Sequence, residues 1–424
     1  MIRFLLKGIL RDRSRSLLPV IVVALGVFLT VFMSGWFQGI MGDMIDMNAR
    51  FVSGHVKIMT RAYDENSDQA PLDLALLDVT ELKNLLRQEY PDMEWVERIH
   101  SGGLLDVPDE HGETRGQSPA MVTAIDLVSP DSREVERMNL SDAIVKGELP
   151  DQLGEALISN DFAEKFDVAI GDEVTLFGST MNGSMMFYTF SVSGTIRFGN
   201  TLLDRGAIII DIKDAQLAMD MEDGATEILG YFNNQPYIDE EAMALATSYN
   251  EKYSLEEDEF SPKMVRLAEA AGMADYLAIA ESMVGMMVFI FIIAMSIVLW
   301  NTGLLGGLRR YSEFGVRLAL GEEKKHIYRT TLWEAFLIGT IGSTVGTIFG
   351  LALSYRLQSH GIDFSGMMDN IGVMMPTIFR AVVTPSMYVV GFIPGVIATV
   401  LGSALAGFAI YKRKTAQLFK ELEV

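Results

Sequence analysis

Four uncharged, strongly apolar runs govern what this chain can become: residues 16–42, 282–308, 335–355 and 381–411. Each reaches the roughly 20 residues that a helix needs to cross about 30 Å of hydrocarbon, a length seldom required of a buried helix in a water-soluble core. They predict an α-helical membrane protein with four transmembrane helices over those residues. Charge is divided in the same way. The formal net charge is −22, but 17 Lys and Arg stand against 47 Asp and Glu between Gly42 and Glu281, and 17 against 9 in the remainder. Residues 43–281 are therefore expected to form a separate acidic domain inserted between helices 1 and 2.

Lys and Arg are retained on the cytoplasmic side of a membrane. Arg3, Lys7, Arg11, Arg13 and Arg15 precede the first run. Arg309, Arg310, Arg317, Lys324, Lys325 and Arg329 fill the 309–334 loop, and Lys412, Arg413, Lys414 and Lys420 occupy the 412–424 tail. Both termini and the 309–334 loop are expected in the cytoplasm, with the acidic domain and the 356–380 loop outside it. The first run lacks a small-residue cleavage site after a short apolar stretch, so it reads as a retained signal anchor. Ahead of it, the basic residues at Arg3, Lys7, Arg11 and Arg15 are interleaved with Phe4, Leu5, Ile9 and Leu10. That is the pattern of an interfacial helix over 1–15, lying at the lipid headgroups.

The acidic domain shows mixed α/β patterning. One βαβ-like unit falls near 55–105, with a helix over 79–90, and a second near 227–265, with a helix over 239–253; residues 106–222 look like an insertion between them. Within the insertion, Asn182-Gly183 between β-prone stretches predicts a hairpin over 174–192, with Asn-Gly supplying the positive φ angles of a tight turn. Its tip holds Met181, Met185, Met186 and Phe187, which either meet a partner or pack inside the domain. The outer ends of the first two spans carry Met33, Phe37, Met41, Met44 and Met47, then Met283, Met286 and Met287. Methionine adapts to irregular apolar shapes, so these side chains either form a lining suited to acyl chains or pack against neighbouring helices. Small residues at Gly339, Gly342, Gly346 and Gly350, and at Gly391, Gly395, Ala398, Gly402 and Ala406, predict close packing of spans three and four.

The 309–334 loop is too apolar for a solvated connector, with Phe314, Val316, Leu318 and Leu320 among its charges, which suggests docking on a soluble protein. Here the sequence resembles the MacB/FtsX-type permease superfamily. Glu313, Gly315, Arg317, Ala319 and Gly321, followed by a basic helix and Glu334, stand where that family has its Glu, Gly, basic residue, Ala, Gly and acidic residue. The likeness extends to Ser16-Leu17-Leu18, to Glu155-Ala156-Leu157-Ile158-Ser159, to Phe162-Ala163-Glu164-Lys165-Phe166 and to Val168 through Val174. Pro19 departs from it, where the family more often has Thr, and is expected to kink the entry to the first span.

The resemblance implies that Arg310, Glu313, Phe314, Gly315, Arg317, Ala319, Gly321 and Glu334 couple the chain to an ABC ATPase, that residues 43–281 form a MacB-like periplasmic domain, and that the place is a bacterial inner membrane. The sequence has no Gly-x-x-x-x-Gly-Lys-Ser/Thr run, so ATP and Mg are expected in a partner ATPase dimer and no cofactor in this chain. Domain size and span layout look most like the lipoprotein-releasing branch. That branch implies a second permease copy or homologue, contact with membrane lipids, a lipoprotein or lipid cargo and a periplasmic carrier. The open alternative is a mechanotransmission module that relays ATPase motion to a periplasmic hydrolase or efflux partner. An enzyme finds little support: His55, His100, His111, His326 and His360 are widely spaced, no cysteine is present, no nucleophile motif occurs, and no catalytic or metal residue is expected. Nucleic acid is not expected as a partner either.

Overall fold

A computed structural model describes residues 13–109, 111–198, 204–233, 237–255, 258–308, 311–364 and 378–412. These residues fall into two compact units, one of long helices and one of mixed α/β structure spanning Met44–Leu277. The interfacial helix expected over 1–15 lies almost wholly outside the described residues.

Among the described residues, four helices are long and apolar enough to cross a membrane. The first runs from Arg13 to Asn48 and passes through Pro19 unbroken, then widens into a π-helical turn, Ala49–Ser53. It therefore extends well past the expected end at Gly42. The second, Met273–Leu308, begins before its expected start at Ser282, because a 3-10 turn at Leu267–Gly272 feeds straight into it. The third, Lys324–His360, is one continuous helix, so the expected border between loop and span at Ala335 is no structural break. The fourth is the least regular: residues 381–386 are not helical, and a π-helical turn, Ile393–Ala398, precedes the helix Thr399–Lys412. Pro385 and Pro394 account for this, since proline lacks the N–H of the helical ladder and its ring crowds the preceding turn.

Spans three and four pack closely, as expected, and their small-residue faces also receive the first and second helices. On the third span, an added Cβ at Gly342 would stand 2.6 Å from Val23, at Gly346 2.4 Å from the Ala24 carbonyl, and at Gly350 2.9 Å from Val31, all on the first span. Only Gly339 among them meets the fourth span, at the Gly395 carbonyl. Gly391 and Gly395 touch both Val27 of the first span and the Thr347 and Ser343 side chains of the third, and Gly402 lies against the Trp300 backbone of the second. Small residues at four-residue spacing permit close approach of any helix, and which helix comes close is decided by the bundle.

Among its described residues the α/β unit contains ten strands: β1 (Val56–Thr60), β2 (Met93–Pro108), β3 (Thr114–Ile125), β4 (Ile144–Gly147), β5 (Glu155–Ser159), β6 (Glu173–Ser179), β7 (Met185–Ile196), β8 (Ala207–Asp211), β9 (Glu227–Phe232) and β10 (Pro262–Arg266). Strands β10, β1, β9 and the first half of β2 form an antiparallel sheet in that order, with crossover helices Val79–Glu89 and Asp239–Tyr253. This is the split βαβ arrangement. The second half of β2 leaves that sheet and joins a closed ring, β2-β3-β8-β5-β7-β6 and back to β2. The expected insertion is thus a six-stranded barrel filled by residues such as Leu105, Val122, Ile158, Leu176, Phe190 and Ile210. The second expected βαβ-like unit, near 227–265, closes with the short strand β10, because residues 254 and 255 and 258–261 are folded around the Ser261 hydroxyl, which donates to the Leu255 and Asp258 carbonyls.

Candidate functional site

Between the second and third long helices lies a short helix, Tyr311–Ala319. It stops in a Schellman arrangement, with the Glu322 N–H donating to the Arg317 carbonyl and the Gly321 N–H to the Leu318 carbonyl. Gly321 consequently has φ +89°, in a left-handed region that costs a side-chain-bearing residue roughly 1–2 kcal/mol. The helix sorts the expected coupling residues: Phe314 and Gly315 are buried, whereas Arg317, Ala319 and Gly321 are exposed. Val316 and Leu320, which fall on the exposed side, are 52% and 83% accessible. Glu313 lies within this helix, Glu334 is half-buried on the third long helix, and Arg310 lies outside the described residues.

The methionines separate into two groups. Met33, Phe37 and Met41 on the first long helix are half-buried, as are Met44 and Met47 on its extension. Met283, Met286 and Met287 are exposed, and their spacing places them on one face of the second long helix.

The expected hairpin is β6 and β7, joined through Met181, Asn182 and Gly183. Only Gly183 has positive φ, at +77°, because the loop has three residues and closes as a turn followed by a left-handed glycine. Asn182 instead donates from its side chain to Asp220 at 2.8 Å. The tip residues alternate: Met186 is buried in the barrel and Met181 packs against its core, while Met185 and Phe187 are exposed, Phe187 edge-on to Phe177 at 5.2 Å.

A further constellation, which the sequence did not announce, surrounds Arg98. Its guanidinium is fully buried where β2 passes from sheet to barrel. Nε donates to Glu134 at 2.8 Å, Nη1 to the Phe51 carbonyl at 2.9 Å and Nη2 to the Arg50 carbonyl at 2.7 Å. Nη2 also reaches the Tyr231 hydroxyl at 3.2 Å, and that hydroxyl donates toward the Ala49 carbonyl at 3.2 Å. Arg137 pairs with Glu134 and with Glu94 at 2.8 Å, and its guanidinium lies 4.1 Å from the centre of the Tyr231 ring. Beside this cluster, His55 accepts the Phe232 N–H at Nδ1, 3.0 Å away, so the neutral ring carries its proton on Nε2. Burial pushes its pKa down to about 4, with Arg50 and Arg137 adding to the fall and Asp46 opposing it. No motif marks Arg98 in the sequence; its role depends on partners up to 133 positions away. Among the described residues, no three His, Asp or Glu side chains are grouped to hold a metal.

Two families match this chain. The FtsX-like permease C-terminal family matches residues 285–415, and the MacB-like periplasmic core domain family matches residues 16–244. The lipoprotein-releasing system transmembrane proteins LolC of two Xylella fastidiosa strains, 9a5c and Temecula1 / ATCC 700964, are each 24% identical over 207 residues. The match covers 48% of this chain and 48% of each LolC, so the chain spans about half the length of the curated relatives it matches. The crystal structure of the periplasmic region of MacB from Actinobacillus actinomycetemcomitans aligns with a TM-score of 0.34 and 12% identity, over 52% of this chain and 92% of that one.

Proposed function

The chain belongs to the family of FtsX-like permeases that carry a MacB-like periplasmic core domain, and from that membership we propose that it is the membrane subunit of an ABC transporter. On this reading ATP and Mg are bound by a separate ATPase dimer, since the sequence contains no phosphate-binding loop. The observation that carries the reading is the outward face of the Tyr311–Ala319 helix, where Val316 and Leu320 stand exposed beside Arg317. Two large apolar side chains at a tight glycine turn are poorly suited to a free connector and well suited to a seat on a soluble partner. The basic flanks put that helix and both termini in the cytoplasm of a bacterial inner-membrane protein, with the acidic domain outside.

Replacing Val316 and Leu320 together with Asp tests this. The full-length protein should insert and fold as before, and co-purification of the ATPase should fall by about tenfold or more, since burying each side chain contributes about 1.5–3 kcal/mol. Because ATP is hydrolysed in the cytoplasm, the same loss supports the orientation. Undiminished co-purification would overturn both the docking face and the side of the membrane assigned to it.

For the cargo we propose a lipid-anchored protein or a lipid. The similarity to LolC proteins of a lipoprotein-releasing system and the exposed methionine face of the second long helix support it. Withdrawing an acyl chain from the bilayer costs about 0.8 kcal/mol per CH₂, so release requires an apolar reception site and coupled hydrolysis. A second reading, in which motion is relayed to an outside partner without cargo, draws support from the unbroken helix Arg13–Asn48, which runs on into the turn Ala49–Ser53.

A further inference from the structure

Among the described residues, the first half of β2 has one open edge: β9 pairs with residues 93–98 along one side, and β3 joins the other side only from Ile99 onward. Beside that edge lies a cleft of about 430 Å³, within the roughly 300–1,000 Å³ of small-molecule sites. The helix Val79–Glu89 forms one wall of it, through Lys83 and Arg87, and the segment after β3 forms the other, through Asp126 and Asp131. One wall offers cations and the other carboxylates.

Lys83 and Arg87 are one turn apart and so share a face of their helix. Lys83 is largely buried and pairs with Glu97, yet burial, with Arg87 adding to it, brings its pKa down to about 8 against the pull of Asp126, Asp223 and Glu134. Its charge is therefore incompletely compensated in the folded chain. Arg87 is exposed and makes no ion pair among the described residues. Across the cleft, Asp131 is exposed as well, and Asp126 accepts the Ser129 N–H at 3.1 Å through one of its two oxygens.

The floor supplies an independent observation. Trp95 is 2% exposed, and its indole N–H has no acceptor among the described residues. A buried donor without an acceptor is destabilising and uncommon in native chains. The benzene edge of the ring faces β9, since a Cβ added at Gly230 would stand 2.5 Å from Cζ3. Nε1 lies across the ring from that edge, on the side of β2 where the cleft opens.

We propose that this cleft binds a small zwitterion, whose anionic group is received by Arg87, Lys83 and the Trp95 N–H and whose ammonium is received by Asp126 and Asp131. A ligand with one charge fits less well, because an anion alone also meets the acidic wall and a cation alone also meets Lys83 and Arg87. Two sources share the required chemistry: a free amino acid and the phosphoethanolamine headgroup of a lipid.

The test titrates the full-length protein in non-ionic detergent by calorimetry, with L-alanine, with glycerophosphoethanolamine, and with ethylamine and methyl phosphate as singly charged controls. At least one zwitterion should bind at millimolar concentration or below, about tenfold or more tightly than either control, and the one that binds identifies the source. Arg87→Ala and Asp131→Asn, both at exposed positions, should keep the melting temperature and each weaken binding by about tenfold, the scale of one charge-assisted hydrogen bond. In protein carrying isotope-labelled tryptophan, the indole N–H resonance that Trp95→Phe removes should move on binding; should that variant fail to fold, the two exposed-site variants decide. No binding by either zwitterion, a control that binds as tightly, undiminished binding in either exposed-site variant, or a Trp95 resonance that stays in place each overturns the proposal.

Discussion

His55 stands next to the Arg98 cluster, immediately after a glycine at φ +62°, with its ring 5.1 Å from Phe232 and 5.9 Å from Tyr237. Its pKa falls from 6.5 to about 4 on folding, so the unfolded chain binds a proton there between those values and the folded chain does not. Stability therefore rises with pH across this window: the contribution is complete above pH 6.5 and is lost as pH falls toward 4, amounting to about 3 kcal/mol at most. Burial lowers His100 in the same direction, and protonation of the domain's many carboxylates acts in the same range, so the informative quantity is a difference. Thermal unfolding followed by tryptophan fluorescence should show a flatter pH dependence between 6.5 and 4 for His55→Phe than for the wild type, even though the variant leaves the Phe232 N–H unpaired and is less stable at neutral pH. Parallel curves would show that His55 does not stay neutral on folding. At this scale the sequence was a weak guide. Leu82, Leu85 and Leu86 announce a helix by spacing, but His55, Arg98 and Glu134 take their character from neighbours that are close only after folding.

Helices and strands were far more legible than their partners. The segments at Glu227–Phe232 and Asp239–Tyr253 follow the apolar pattern to the residue, and the hairpin of β6 and β7 lies where Asn182-Gly183 predicts it. Pairing is another matter. The barrel closes through β3 with β8 and β5 with β7, parallel contacts between distant segments, and apolar alternation carries no record of which strand lies alongside. The glycine stripe of the third long helix behaves alike: its spacing promises close approach, and the structure gives three of its four places to the first helix. A substitution at the tightest of these should expose the difference. Gly346→Leu forces a side chain onto the Ala24 carbonyl and Val27, and should destabilise the helical unit by about 1–3 kcal/mol or more in detergent. Gly285→Leu meets nothing within 4 Å and should leave stability unchanged. Equal effects at both positions would contradict the packing of the first helix against the third.

At the scale of the whole molecule, composition divides the chain before any fold is considered: acidic residues collect in one block and basic residues flank the apolar runs. A strongly charged domain tolerates water and a strongly apolar helix does not, so one chain of this composition separates into two compact units. The second long helix is the least covered of the four, with Met286, Phe289, Ile290 and Ile297 each more than half exposed, and it is the surface that lipid or a second permease would cover. Under the proposed function ATP acts on one side of the membrane and the acidic domain lies on the other, so the decisive observation joins the two. Proteoliposomes holding the full-length chain, its ATPase and a lipid-anchored protein labelled on its soluble part should release that protein into the supernatant on addition of ATP and Mg. Release should be lost when Val316 and Leu320 are both Asp. If ATP is hydrolysed by the intact complex and the labelled protein stays in the bilayer, while an apolar scavenger protein is present to receive it, extraction of lipid-anchored cargo is contradicted and relay of motion to an outside partner becomes the function.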